Sequence, residues 1–337
     1  VKRTFFPASD HDAAVPSPHA HTISCIVAAY NAADTIGETL DSVHAQTVPA
    51  DEIVVCDDGS RDTTAEIAGR YPTVRLLRQT NAGQAAALNR LVAAATSEWI
   101  MIVDADDWIH EDRVARIAEV IEEADPGVAI VTTDAWMVDQ TGTTDRYYET
   151  ARWVEQPQQH TEILTNNFVF GAAAVRRSAW LEVGGMHEAL RVAQDYDLWV
   201  RIIRAGYGAA LIDEPLYYYR RHHEASTFDN RNVLRANMTV LARILERTDL
   251  TAAERKQVKQ ATRSNLCYLR WLELAAGARE QGRPQRADLL RLAASTPFTR
   301  AGVKALAAAA ISPRLWGRTL SASTRTPQAS VGPSPPR

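Results

Sequence analysis

Cysteine is scarce in this 337-residue chain: Cys25, Cys56 and Cys267 are three in number and far apart. That pattern excludes a disulfide framework and a Cys-x-x-Cys metal site, and it fits a reducing compartment. Cys25 and Cys56 fall inside apolar runs and are expected to be inert buried thiols. Long apolar runs are missing too, since none approaches the ~20 residues that a membrane-spanning helix needs. No charge sign dominates: the formal net charge is −4, which does not favour nucleic acid as a partner. Residues 1–20 lack the apolar segment of a signal peptide and carry Pro7, Pro16 and Pro18, so 1–21 is expected to be a disordered leader. Acidic residues are absent after Asp288, while Arg291, Arg300, Lys304, Arg314, Arg318, Arg325 and Arg337 follow it. Such a basic tail suits peripheral contact with a membrane or another anionic surface, and equally suits a solvated helix.

What is present is an alternation of short apolar runs and helix-like segments. Strands are expected at Ile23–Ala29, Glu52–Cys56, Val74–Leu77, Trp99–Val103, Val128–Thr133 and Leu211–Tyr219. Helices are expected at Asp34–Gln46 with Asp34 as N-cap, Ser60–Tyr71, Gln84–Ala95, Glu111–Glu123 and Tyr196–Arg204. This alternation predicts an α/β fold with a mainly parallel, Rossmann-like sheet covered on both faces. Residues 134–170 predict loops and a hairpin beside the site. From about Asn230 the pattern becomes helical, giving a C-terminal helical extension over 230–318 and a disordered Ser/Thr/Pro-rich tail over 319–337.

The most informative stretch is Trp99-Ile100-Met101-Ile102-Val103-Asp104-Ala105-Asp106-Asp107, where a strand-length apolar run ends in three carboxylates. Carboxylates this close raise each other's pKa unless a cation sits among them. Asp-x-Asp spacing suits Mg²⁺ or Mn²⁺ with positions left over for phosphate, although a solvated turn capping a helix has the same composition. In parallel sheets ligands bind beyond the carboxyl ends of the strands, where Tyr30-Asn31, Asp57-Asp58-Gly59-Ser60 and Asp104 to Asp107 all fall. The first strand is not followed by the Gly-rich turn of a dinucleotide-binding fold, and no GxxxxGK[ST] loop is present.

These motifs, with Asn81-Ala82-Gly83, Gly184-Gly185-Met186, Gln194-Asp195-Tyr196-Asp197-Leu198-Trp199 and Tyr219-Arg220-Arg221-His222, stand in the order that resembles the family 2 glycosyltransferases of the GT-A fold. The resemblance covers roughly Thr22 to Ser226. It implies an inverting, metal-dependent enzyme that moves a sugar from a nucleotide-diphosphate donor, UDP or dTDP preferred, to a hydroxyl acceptor. Polysaccharide, glycolipid or glycosylated-metabolite biosynthesis would be its setting, and a cytoplasmic chain, peripheral at the inner membrane face, its location. A catalytically inactive nucleotide-sugar-binding protein and a nucleotidyltransferase are the alternatives.

Carried over residue by residue, the resemblance implies donor contacts from Ala29, Tyr30, Asn31, Asp57, Asp58, Asn81, Gly83, Asp104, Ala105 and Asp106. Asp58 would accept a hydrogen bond from the base, or would cap the helix after Ser60. Asp104 would lie near ribose and Asp106 on the Mn²⁺ or Mg²⁺, with His222 as a further metal or diphosphate contact. Asp107 would stand behind that pair or cap the next helix, and Arg220 and Arg221 would approach phosphate or remain surface charges. Asp195 resembles the catalytic base, preceded here by Gln194 where the family usually has Glu. Trp180 and Trp199 are expected in the core.

Overall fold

Ile23–Ala29 forms β1, a strand buried on both faces, as expected of a run without a polar face. The computed structural model describes residues 20–139, 142–221 and 230–281. After β1 come α1 (Ile36–His44), β2 (Glu52–Asp57), α2 (Thr64–Ala68), β3 (Val74–Arg78), α3 (Gln84–Ala94) and β4 (Trp99–Asp104). Then follow β5 (Trp108–Ile109), α4 (Arg113–Glu123), β6 (Val128–Asp139), β7 (Gly142–Arg146), α5 (Tyr147–Thr150) and α6 (Gln159–Glu162). β8 (Ala174–Arg176), α7 (Arg177–Glu182), α8 (Gln194–Arg204), β9 (Gly208–Arg220), α9 (Asn230–Glu246) and α10 (Ala252–Gln281) complete the described chain.

The strands form one sheet in the order β3-β2-β1-β4-β8-β6-β9-β5, with β7 paired to β6. The expected parallel ladder runs through β3, β2, β1 and β4. β8 then enters antiparallel between β4 and β6, so the sheet as a whole is mixed. β1 leads out to β2 on one side and has β4 on the other, which opens a crevice at the carboxyl ends of these strands. Alternate residues of β1 serve different cores: Ile26 packs with α3 and α8, and Cys25 and Val27 pack with α1 and α4. Val240, Leu241 and Ile244 of α9 and Val258 of α10 join the core under α3 and α8. Burial pushes the Cys25 thiol up to about 12 and the Cys56 thiol up to about 11, as expected of inert cysteines. Trp180 and Trp199 are buried in the core.

Three local expectations change. The helix foreseen over Ser60–Tyr71 shrinks to α2, because side chains take the preceding backbone donors: Asp57 Oδ1 accepts from Ser60 N and Asp62 Oδ1 from Thr64 N. α1 starts at Ile36 behind Thr35, so Asp34 is not its N-cap. β6 runs on to Asp139, past the expected end at Thr133, because buried Asp134 is satisfied within the strand. Its carboxylate accepts from Arg146 Nε at 2.6 Å, Tyr148 N at 2.9 Å and Ala135 N at 2.7 Å.

α8 is also tied to the C-terminal helices. Buried Asp197 accepts from Arg201 Nε at 2.9 Å and from Arg243 Nε of α9 at 3.0 Å. Arg204 donates to Glu254 Oε1 at 2.7 Å and to Asp249 Oδ2 at 3.0 Å. Removing one member of a buried pair strands the others. Asp197→Ala is therefore expected to destabilise the fold by about 3 kcal/mol in urea unfolding; a loss below about 1 kcal/mol would contradict this tie.

Candidate active site

Strand register assembles the site. Ala28 of β1 lies beside Asp104 of β4, and Ala29 lies beside Asp57 of β2. Ala29, Tyr30, Asn31, Asp57, Asp58, Asp104, Ala105 and Asp106 therefore share one edge of the sheet. Tyr30 stands 47% exposed at its rim.

Side chains stitch the loops on the β1–β2 side together. Asn31 N donates to Ser60 Oγ, Arg61 N to Asn31 Oδ1, and Ala33 N to Asp62 Oδ2. Asn31 also adopts a left-handed backbone with φ 49°, which asparagine tolerates. Asp58 is 3% exposed and accepts from Gln79 Nε2 at 2.7 Å, Ala82 N at 2.8 Å and Gly83 N at 2.8 Å. It organises the Asn81-Ala82-Gly83 loop and does not cap α2. Gly83 has φ +98°, a left-handed backbone that favours glycine; a side chain there would also meet Arg191 Nη1, which would have to swing away.

The acidic turn after β4 is held from behind. Thr35 Oγ1 donates to Ala105 O at 2.9 Å, and Thr39 Oγ1 donates to Asp107 O at 2.7 Å. Thr35 thus spends its hydroxyl on this turn and leaves α1 without a side-chain cap. Asp107 is buried, accepting from Tyr217 Oη at 2.8 Å and from Arg220 N at 2.7 Å. It joins β4 to β9; Asp112 precedes α4 instead. Arg220 is likewise committed, donating to Asp106 O at 2.8 Å and Glu38 Oε2 at 2.6 Å beneath a cation–π contact with Trp108. Arg113 lies fully buried behind the turn, 4.5 Å from the Tyr217 ring centroid, and donates to Ala172 O. Burial lowers its pKa to about 10, so it stays cationic at neutral pH.

Electrostatics set this turn apart. Burial of the Asp104 carboxyl, then Asp106, then Asp195, push it up to about 7. Burial, Asp104 and Asp106 raise Asp107 well above the ordinary range. Among the described residues no three His, Cys, Asp or Glu side chains form a metal cage. Asp104 and Asp106 alone still fit Mg²⁺ or Mn²⁺, hard cations that take one or two carboxylates and complete their shell with substrate phosphate and water. His222 and His223 lie outside the described residues.

Asp195 enters from the opposite side, in the first turn of α8. Ala193 just before it has a left-handed backbone, φ 60°, a strained turn that starts the helix at Gln194. Burial raises the Asp195 pKa, while hydrogen bonds from the Tyr196 and Asp195 backbone and the Asn167 side chain oppose that shift. A Cβ on Gly171 would come within 3.0 Å of Asp195 Oδ2. Gly171→Ala is expected to push that carboxylate aside by a few tenths of an ångström and to cut turnover by roughly tenfold in folded protein; normal turnover would contradict the contact. Tyr147 also senses the Asp195 charge, and with Phe170, Tyr148 and Trp153 builds an aromatic wall on this side.

Sequence reasoning brought Asp104, Asp106 and Asp195 to the site and missed Thr35, Thr39, Gln84, Arg113, Asn167, Gly171 and Tyr217. None of these stands at a diagnostic spacing. Only the acidic run itself signals that hydrogen-bond donors and counter-charges must be supplied from elsewhere.

The architecture is that of the GT-A glycosyltransferases. The structure of S. aureus TarS 1–349 in complex with UDP-GlcNAc superposes with a TM-score of 0.58 at 19% identity, covering 90% of this chain and 91% of that one. Mannosyltransferase PcManGT from Pyrobaculum calidifontis, in complex with GDP-Man and Mn²⁺, gives 0.56 at 20% identity, covering 92% of each. The family model described as glycosyl transferase family 2 matches residues 24–184. Succinoglycan biosynthesis protein ExoU of Rhizobium meliloti (strain 1021) is 30% identical over 262 residues, 69% of this chain and 73% of that protein. Uncharacterized glycosyltransferase YibD of Escherichia coli (strain K12) is 38% identical over 126 residues, 36% of each chain, so the match spans about a third of its length. Succinoglycan biosynthesis protein ExoO of Rhizobium meliloti (strain 1021) is matched over 60% of its length. The chain belongs to glycosyl transferase family 2.

Proposed function

We propose that this chain transfers a sugar from a nucleotide-diphosphate donor to a hydroxyl acceptor, with inversion, using Mn²⁺ or Mg²⁺ held by Asp104 and Asp106. The observation that carries this reading is the meeting of Asp104, Asp106 and Asp195 at the carboxyl end of β4, close enough for Asp195 to raise the Asp104 pKa. The nucleotide-sugar complexes of the structural neighbours, one with Mn²⁺, support it.

Each group has a task that its surroundings favour. Asp58 already accepts three hydrogen bonds. A carboxylate has about four acceptor positions, which leaves it one for a base N–H, the uracil or thymine imide of UDP or dTDP in this reading. When bound, the cation neutralises charge developing on the diphosphate as a Lewis acid. Asp195 takes the proton of the acceptor hydroxyl while that oxygen bonds to the anomeric carbon. The bond from this carbon to the diphosphate oxygen breaks, and its electron pair leaves with the diphosphate. A single displacement inverts the carbon and needs no protein nucleophile. The acceptor is a sugar, lipid-linked sugar or metabolite hydroxyl of polysaccharide, glycolipid or metabolite assembly, reached beside the aromatic wall.

No helix among the described residues is long and apolar enough to cross a membrane. The basic stretch 291–337 lies outside the described residues; we assign it peripheral membrane contact in a cytoplasmic chain, testable by salt-sensitive liposome pelleting. The reading as a whole is tested by a thermal-shift panel of UDP, dTDP, GDP and CMP with and without Mn²⁺. A diphosphate at about 100-fold its dissociation constant stabilises by roughly 2.7 kcal/mol. Mn²⁺-dependent stabilisation by UDP or dTDP is expected; no shift with any of the four, in folded protein, would refute the reading.

A further inference from the structure

We propose that Gln84 and Gln194 form a two-amide relay that aims Asp104 and couples it to the helix carrying Asp195, an inference that rests on the glycosyltransferase reading above. Gln84 opens α3 and Gln194 opens α8, two helices whose N-termini face the same crevice. Gln84 Nε2 donates to Asp104 Oδ1 at 2.9 Å, and Gln194 Nε2 donates to Gln84 Oε1 at 2.7 Å.

Chemistry fixes the direction of this chain of bonds. In the ionised form in which Asp104 would hold a cation its carboxylate only accepts, so Gln84 must then turn its NH₂ towards Asp104. Its carbonyl oxygen then faces Gln194, which must answer with a donor. Reversing either amide sets oxygen against oxygen. Gln194 is 8% exposed, and its own Oε1 has no partner among the described residues, so its engagement here runs through nitrogen. An ionised glutamate at 194 has no proton to donate, and only its neutral acid could fill the same place. It would also add a further carboxylate beside Asp104, which Asp106 and Asp195 already crowd. Gln194 is thus a permanent neutral donor at the position before Asp195. Gln84 and Gln194 act through Asp104 and are positioning residues.

The test is calorimetric titration of UDP, and separately GDP, with Mn²⁺ into the full chain and its variants. Gln194→Met and Gln84→Met keep side-chain length and remove the donors; Gln84 is exposed, so its replacement leaves the fold intact. Groups that orient a metal ligand are typically worth about 10–100-fold in affinity, so each variant is expected to weaken nucleotide binding at least about tenfold. The double variant is expected to bind no more weakly than Gln84→Met, because without Gln84 the donor at 194 has nothing to orient. Gln194→Glu is expected to lose affinity relative to wild type as pH rises, because ionisation removes its proton. Wild-type affinity in Gln194→Met, multiplied losses in the double variant, or a pH-independent Gln194→Glu ratio would each overturn the relay. Failure of the wild type to bind either nucleotide is a different result, and would overturn the glycosyltransferase reading together with the relay built on it.

Discussion

Asp195→Asn is expected to lower kcat by about 10²–10⁴-fold, the usual worth of general-base assistance, while Mn²⁺-dependent nucleotide binding stays near wild type. Asparagine keeps the shape and the first-turn position but cannot take a proton. Burial holds the wild-type carboxyl above its ordinary range, and the base works only when ionised. Turnover should therefore rise with pH through that raised pKa, and this acid limb should vanish in the variant. Retained kcat would remove Asp195 from the mechanism. Lost nucleotide binding with normal folding would show instead that Asp195 helps to hold the donor.

Asp106→Ala is expected to abolish the roughly 2.7 kcal/mol of Mn²⁺-dependent stabilisation that a saturating nucleoside diphosphate confers on the wild type. It should also change the metal-free protein in the opposite sense. Asp104 titrates at about 7 in the fold, against an ordinary value of 3.8, and Asp106 is among the causes of that rise. A raised carboxyl pKa means that its contribution to stability is present in full below the ordinary value and is lost as pH rises through the folded one. Removing Asp106 lowers the Asp104 pKa and relieves that loss, so the metal-free variant should melt higher than wild type above neutral pH. Urea unfolding between pH 5 and pH 8 without metal checks the sign. An Asp106→Ala protein that still binds UDP through Mn²⁺ would take Asp106 out of the metal site. Function here is expected to oppose stability, as it commonly does where like charges are gathered for a ligand.

Asp106 was legible in the sequence itself, whereas Asp195, in the first turn of α8, was reached only through the family resemblance. A buried strand is a continuous apolar run, and a carboxylate cluster at its end has no packing explanation. β1, β2, β3 and β4 were therefore placed to within a residue of their observed ends, with Asp57 and Asp104 closing β2 and β4 and Asp58, Asp106 and Asp107 just beyond them. Elements held by side chains were less legible. α2 was overextended because the use of backbone donors by Asp57 and Asp62 leaves no periodic trace. β6 was cut short at Asp134, since an aspartate reads as a strand end until Arg146 and Tyr148 are seen to satisfy it.

The sequence by itself determined the layered α/β order, the strand ends at which chemistry gathers, and the identity of the charged groups there. These depend on local periodicity and on charges no core can absorb. Only the tertiary structure decided what surrounds those groups: Thr39 beneath Asp107, Tyr217 and Arg113 behind the acidic turn, Gly171 against Asp195, Gln84 on Asp104 and Gln194 on Gln84. Such partners come from 20 to 113 residues away along the chain. Their pairing depends on strand register and on the β8 insertion, and neither has a period that a one-dimensional pattern can carry.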